Sequence, residues 1–321
     1  GLIYYTRILK TLVFEERPAD LPAVTEVPRS MQIGLAVLAA ICVIMGLAPQ
    51  LAMNLVVPVA SMCFTPNLND PDVLVAMNVS WPIFVVVPVF GAVIPAMFYN
   101  DRKKAGWASV GVLLLTALLV VLFGRGLDTL SFCFALLVPV LGAVNMAYAL
   151  GYMEHSHRQW RFYCAFTAMC GGLVGMAASQ YMLSFFLFWE IMSSWALYFA
   201  IAHEGTPEAL REGFKYFLFN VAGAGFLFLG IGLIVAYTGT GEFAGVAKGF
   251  ATLSPAVGTS IMILMAVGFC MKAAQVSLRI DWQMHPALAP TPVSGYISSV
   301  LLKSAILGLI KLFMLMGGGF M

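Results

Sequence analysis

Long apolar runs alternate with short polar clusters along this chain, and the pattern predicts its secondary structure. A helix needs about 20 mostly apolar residues to cross a bilayer. Such runs fall at 31–49, 81–99, 106–122, 131–152, 162–179, 180–202, 214–237, 256–279 and 291–315, with a partial helix at 1–14. Backbone groups in lipid must be paired internally, and the alternating pattern of barrel strands is absent, so the runs fold as helices. The expected fold is all-α: a polytopic transmembrane helical bundle of about nine full spans plus one partial, with a Pro-broken region near 279–292.

The polar clusters test that count. Stretches 1–30, 100–105, 153–161, 203–215 and 279–290 hold most of the Lys and Arg, among them Arg7, Arg29, Arg102, Lys103, Lys104, Arg158, Arg161, Arg211, Lys215 and Arg279. The intervening loops 50–80, 123–130 and 238–255 hold only Arg125 and Lys248 beside Asp70, Asp72, Asp128 and Glu242. Every second loop is basic, as the positive-inside rule requires, and one missed helix would scramble the alternation. The basic side is therefore the inner one, and the expected location is the inner (cytoplasmic) cell membrane. Residues 61–80, with Thr65-Pro66-Asn67-Leu68-Asn69-Asp70-Pro71-Asp72, carry turn formers dense enough to mark an outer-side linker.

Composition strengthens the membrane reading. Of 321 residues, 61% are hydrophobic and 10% charged, and the mean hydropathy is +0.92; a soluble domain carries about a quarter charged residues. Cys42, Cys63, Cys133, Cys164, Cys170 and Cys270 lie in or beside apolar runs without a C-x-x-C pair, and read as small buried hydrophobes. No phosphate loop, nucleophile triad or iron–sulfur spacing occurs, and no two histidines face each other at membrane depth as a b-type haem would need. The expectation is a chain with no cofactor, no metal and no nucleic-acid partner, whose surroundings are lipid and other membrane subunits.

Ionisable residues at membrane depth are costly and usually functional. Glu190 sits mid-helix, Lys272 in the inner half of its helix, and Lys303 near the middle of the last run. Burial disfavours the charged form of either group and an opposite charge restores it, so a Glu–Lys pair that forms and breaks is a proton switch. The alternative is a static ion pair locking helices together. Lys311, near an outer helix end, reads as snorkelling to the interface. Between the two lysine helices, Pro286, Pro290 and Pro292 preclude a continuous helix. His285 in that stretch either relays protons, since histidine titrates near neutral pH, or caps the preceding helix.

Several segments carry a family resemblance: Phe188-Trp189-Glu190-Ile191-Met192, Ala209-Leu210-Arg211-Glu212-Gly213-Phe214-Lys215-Tyr216-Phe217 and Val267-Gly268-Phe269-Cys270-Met271-Lys272-Ala273-Ala274-Gln275. The most specific is His285-Pro286-Ala287-Leu288-Ala289-Pro290-Thr291-Pro292-Val293-Ser294 followed by Leu301-Leu302-Lys303. Together they resemble the antiporter-like proton-translocating subunits of respiratory complex I, Mrp-type sodium/proton antiporters and energy-converting membrane hydrogenases. The resemblance implies that Glu190 gates Lys272, that Lys272 is the protonatable pump residue and that Lys303 passes the proton laterally. Lys215 either tunes Glu190 or anchors a helix end. It also implies a module of about fourteen helices in two inverted halves. Residues 1–60 then resemble the C-terminal helices of an upstream module and 81–321 the first eight helices of the next, so a piece of a longer chain is expected.

The function expected from this resemblance is that of a non-catalytic, proton-translocating subunit of a redox-driven complex, with peripheral redox subunits as partners. Membership of a multi-component sodium/proton antiporter is the first alternative, and a structural membrane scaffold without transport is the second.

Overall fold

The structure is a computed structural model, and it describes residues 81–273 and 289–316. The expected helices at 1–14 and 31–49, the linker 61–80 with the module boundary it marks, His285, and the proline-broken stretch up to residue 288 lie outside the described residues. Within them, every apolar run becomes a helix. We number these α1 (Ile83–Gly91), α2 (Arg102–Phe123), α3 (Thr129–Tyr152), α4 (Gln159–Ala178), α5 (Met182–Glu190), α6 (Ala196–Ile201), α7 (Pro207–Thr238), α8 (Phe243–Phe250), α9 (Pro255–Lys272), α10 (Thr291–Tyr296) and α11 (Leu302–Met316). Two of the apolar runs are each interrupted by one π turn. Ile191–Trp195 joins α5 to α6, and Ile297–Leu301 joins α10 to α11. Seven continuous helical segments are long and apolar enough to cross a membrane, and the shorter apolar helix Ile83–Phe98 precedes them.

The helix starts follow from their caps. The Asp101 and Asp128 side chains accept the backbone N–H groups of Lys104 and Ser131, and Thr206 accepts that of Ala209, pairing donors that a helix start leaves orphaned. Pro207 and Pro255 occupy the first turns of α7 and α9, where a missing N–H costs nothing. Gly239 ends α7 at φ 72°, a left-handed geometry that a side chain would resist. Pro88 lies inside α1, where it removes one donor from the helix ladder, and α1 passes into a 3-10 turn over Ile94–Phe98. The amphipathic helix α8, in the 238–255 loop, was not expected from the sequence.

Hydrogen bonds fix which loops share an end. Arg102 donates to the Glu154 carboxylate and carbonyl, and Ser156 bonds both His203 and Glu204. The loops before α2, before α4 and before α7 therefore meet on one side, the basic one. On the other, Met182 N–H donates to Gly241 O, Phe243 N–H to Gln180 O, and Lys311 Nζ to Ala177 O. The isolated antiparallel bridge Tyr181–Glu242 lies there too.

Helix α4 is the axis of the bundle: 83% of its most apolar stretch is buried, against 44% for α2 and 39% for α3. Its glycines allow this. A Cβ at Gly171 would stand 2.9 Å from the Val89 amide nitrogen, one at Gly172 2.9 Å from that of Met192, and one at Gly175 2.4 Å from the Phe188 ring. Backbones thus approach closely on two faces of α4, as small residues permit between membrane helices. The outward faces of α2 and α3 carry exposed Leu114, Leu118, Leu122, Leu137 and Val144, an apolar surface that suits acyl chains. Of the cysteines expected to be buried, Cys170 is, Cys164 and Cys270 are half-buried, and Cys133 is exposed. Cys42 and Cys63 lie outside the described residues.

Candidate functional site

Glu190 is the last residue of α5, immediately before the π turn Ile191–Trp195. A π turn holds one more residue than an α turn, leaves the i→i−4 ladder locally broken, and recurs at functional sites. Here it follows Trp189, whose ring stacks on Phe185 and meets Phe269 of α9 edge-on at 5.4 Å. These contacts hold the Glu190 helix against the helix that ends in Lys272. The Oε1 atom of Glu190 and the Ser193 hydroxyl are buried without a hydrogen-bond partner among the described residues, and the Ser194 hydroxyl, one turn on, acts on the carboxylate.

Lys272 is 2% exposed. Its ammonium donates to Asn220 Oδ1 at 2.9 Å and to Tyr216 Oη at 3.3 Å, and lies 5.2 Å from the centre of the Tyr216 ring. Tyr216 and Asn220 stand one turn apart on α7, and Asn220 Nδ2 donates to the Tyr216 carbonyl at 2.8 Å. A charge at this depth is thus held by neutral dipoles and a π face. Among the described residues Glu190 and Lys272 form no ion pair within 4 Å; their helices meet through the Trp189–Phe269 contact.

Lys303 follows the second π turn, and its amine donates to the Ser298 carbonyl inside that turn. The side chain is exposed on the described part of the bundle, with no hydrogen bond or ion pair to Glu190 or Lys272. The two π turns are nonetheless neighbours: Ser304 Oγ donates to the Leu301 carbonyl at 2.6 Å and lies 3.9 Å from Met192 Sδ. Lys215 sits on the basic end of α7 with its amine 2.6 Å from Glu212 Oε1. The structure therefore places Glu190 and Lys272 on helices packed against each other, with Lys303 exposed and Lys215 at the surface. Lys311 does not snorkel freely: it reaches the Ala177 carbonyl at 3.1 Å and lies 5.5 Å from the Phe243 ring centre.

Sequence reasoning missed Tyr216, Asn220 and the π turns. The i, i+4 spacing puts Tyr216 and Asn220 on one face of α7, but that helix also carries Glu208, Arg211, Glu212 and Lys215, so the pattern alone did not single them out. Beside the first turn lies an apolar cavity of about 470 Å³, lined by Val89, Ala92, Cys164, Ile191 and Trp195 with Arg161 among its walls.

Residues 178–321 match the family model described as "NADH:quinone oxidoreductase/Mrp antiporter, TM", and residues 114–163 match "NADH-Ubiquinone oxidoreductase (complex I), chain 5 N-terminus". The L subunit of NADH-quinone oxidoreductase from Mycobacterium tuberculosis is 32% identical over 185 residues, covering 57% of this chain and 29% of the relative. A probable K(+)/H(+) antiporter component of Rhizobium meliloti is 25% identical over 265 residues, 74% of this chain and 26% of the relative. The chain thus spans under a third of the length of these curated relatives. In fold it is similar to a chain of the Mrp complex from Dietzia sp. DQ12-45-1b, with a TM-score of 0.64 at 23% identity over 71% of this chain and 27% of that one. A chain of an archaeal membrane-bound sulfane sulfur reductase gives the same TM-score at 19% identity, over 73% of this chain and 53% of that one.

Proposed function

We propose that this chain, a member of the antiporter-like membrane proteins common to complex I and Mrp antiporters, moves protons across the membrane within a redox-driven ion-pumping complex. The observation that carries the reading is the Lys272 ammonium, buried and held by the neutral groups of Tyr216 and Asn220, on a helix packed against the one that carries the unpaired Glu190 Oε1. An isolated buried charge is expensive unless it is paired or gives up its proton. Neutral dipoles stabilise the ammonium without trapping it as a permanent ion pair would, so the position of Glu190 decides whether the proton stays. The π turn after Glu190 is the place where α5 and α6 can shift register by one residue, about 100° of helical rotation, bringing the carboxylate toward the amine or away.

Lys303, on the exposed face behind the second π turn, is the group that hands the proton on toward the part of the assembly lying beyond these residues. Other membrane subunits cover that face, peripheral redox subunits supply the energy, and the inner cell membrane is the location. A role in a multi-component antiporter driven by an existing gradient is the second reading, favoured by the antiporter relative that aligns with 74% of this chain.

The test is translocation measured in inverted membrane vesicles. Lys272→Met and Glu190→Gln are expected to abolish it while leaving the protein assembled. Lys272→Arg is also expected to fail, because a guanidinium does not release its proton in a protein. Normal translocation by all three variants would leave a scaffold. Dependence on a redox substrate separates the first reading from the second.

A further inference from the structure

On the basic end of the bundle, three polar side chains form a hydrogen-bonded row that the Glu190–Lys272 site does not use. Ser156, in the turn before α4, stands with its Oγ 2.6 Å from Glu204 Oε1 and 2.9 Å from His203 Nε2. His203 Nδ1 lies 3.1 Å from the Ala200 carbonyl at the end of α6. The row runs from water to interior: the Glu204 side chain is 37% exposed and that of His203 4%.

A carbonyl oxygen only accepts, so His203 Nδ1 carries a hydrogen, and the ring is neutral unless Nε2 carries one as well. Ser156 has one hydroxyl proton for two partners. If that proton goes to Glu204, the Nε2 contact is a hydrogen bond only when His203 is an imidazolium. If it goes to His203, the Glu204 contact is a hydrogen bond only when the carboxyl is protonated. Both short contacts are satisfied only with one proton more than the resting neutral-histidine, carboxylate state contains.

We propose that Ser156, His203 and Glu204 form a proton-loading site on the inner surface of this protein. The inference rests on the reading of the chain as a proton translocator. Glu204 takes a proton from water. Its O–H bond then breaks as the proton passes to Ser156 Oγ, while the Ser156 hydroxyl proton moves to His203 Nε2. One carboxylate and one imidazolium result, with the serine unchanged. His203 stands just beyond α6, which continues through the π turn to Glu190, so loading places a positive charge at the foot of the gating helix. Among the described residues, the other groups facing the imidazole are the Phe162 ring, edge-on at 5.5 Å, and Arg161, whose charge opposes loading while Glu204 and the Ala200 carbonyl favour it. Burial holds the ring below the ordinary histidine range, which keeps the resting site empty and ready to load.

The experiment uses the full chain with nitrogen-15-labelled histidine, the His203 signal being assigned by its loss in His203→Gln, together with translocation in vesicles across pH. Ser156→Ala is expected to move the His203 titration to lower pH, while Glu204→Gln lowers it in either background because Oε1 stands 4.0 Å from Nε2. Translocation by Ser156→Ala should fall several-fold near neutral pH and recover in acid, while Ser156→Thr, which keeps the hydroxyl, behaves as the native protein. Should Ser156→Ala fail to fold, the pH profile of translocation in Glu204→Gln decides, and a profile unchanged from the native protein overturns the site. A His203 titration indifferent to both substitutions, or a loss equal at every pH and not rescued by threonine, also overturns it. Failure of Glu190→Gln to affect translocation would instead defeat the broader proposal, leaving the coupled histidine titration to stand or fall by itself.

Discussion

Replacing Gly172 by alanine tests whether close backbone packing sets the position of Glu190. The added Cβ would stand 2.8 Å from Met192 Cβ, 2.9 Å from the Met192 amide nitrogen and 3.0 Å from the Phe188 carbonyl oxygen. Two of those atoms are backbone, so no rotamer change relieves the clash; α4 and the π turn must separate. Overpacking of this kind costs about 1–3 kcal/mol. Against it, alanine gains about 1 kcal/mol over glycine in a helix interior, so the net loss for Gly172→Ala lies between roughly 0 and 2 kcal/mol. Gly111→Ala in α2 is the control, since nothing lies within 4 Å of its Cβ and only the propensity gain applies. The difference between the two variants isolates the steric cost, about 1–3 kcal/mol. Thermal unfolding of both in detergent measures it, and translocation in vesicles reports whether Glu190 has moved. We expect Gly172→Ala to unfold at lower temperature than Gly111→Ala and to lose translocation out of proportion to stability. Equal melting and full translocation would refute the idea that the α4 backbone positions the π turn.

Three further outcomes follow from particular contacts. Asn145 Nδ2 donates to the Pro292 carbonyl at 2.8 Å; Asn145→Ala removes this link between α3 and α10, and should cost about 0.5–1.5 kcal/mol by thermal unfolding. Thr206→Ala removes the cap of α7 and should cost about 1 kcal/mol in the same assay. Arg102→Gln breaks an ion pair whose side chains are 41% and 54% exposed, so its effect should stay below about 1 kcal/mol and shrink further in high salt.

The helices were legible in the sequence because lipid imposes a simple rule: an apolar run of sufficient length has no other way to satisfy its backbone. Every described run from 81 onward folded as a span or as the short first one, and the loops at 100–105, 153–161 and 203–215 meet on one end as their charges required. Glu190 and Lys272 were conspicuous because charges are rare among such neighbours. Their partners were less so. Tyr216 and Asn220 belong to a helix whose other polar residues face water, and only the packing of α9 shows that these two turn inward. The π turns depend on one surplus residue, a register property set by tertiary contacts such as Gly172 against Met192, and composition does not record it. Lys303 illustrates the same limit: its sequence neighbours are mostly apolar, yet its side chain is exposed on the described bundle.

The length of α7 has a mechanical consequence. Its 32 residues make a rod of about 48 Å at 1.5 Å per residue, and the hydrocarbon it crosses is about 30 Å thick. Even a tilt of about 40° absorbs only part of the excess. The charged stretch Glu208, Arg211, Glu212 and Lys215 therefore stands in water as a handle, and Tyr216 and Asn220 begin directly behind it on the same stiff rod. A neighbouring protein that grips the wet end works a lever whose other arm cradles an ammonium ion, so force applied in the aqueous phase arrives at the buried amine without passing through any loop.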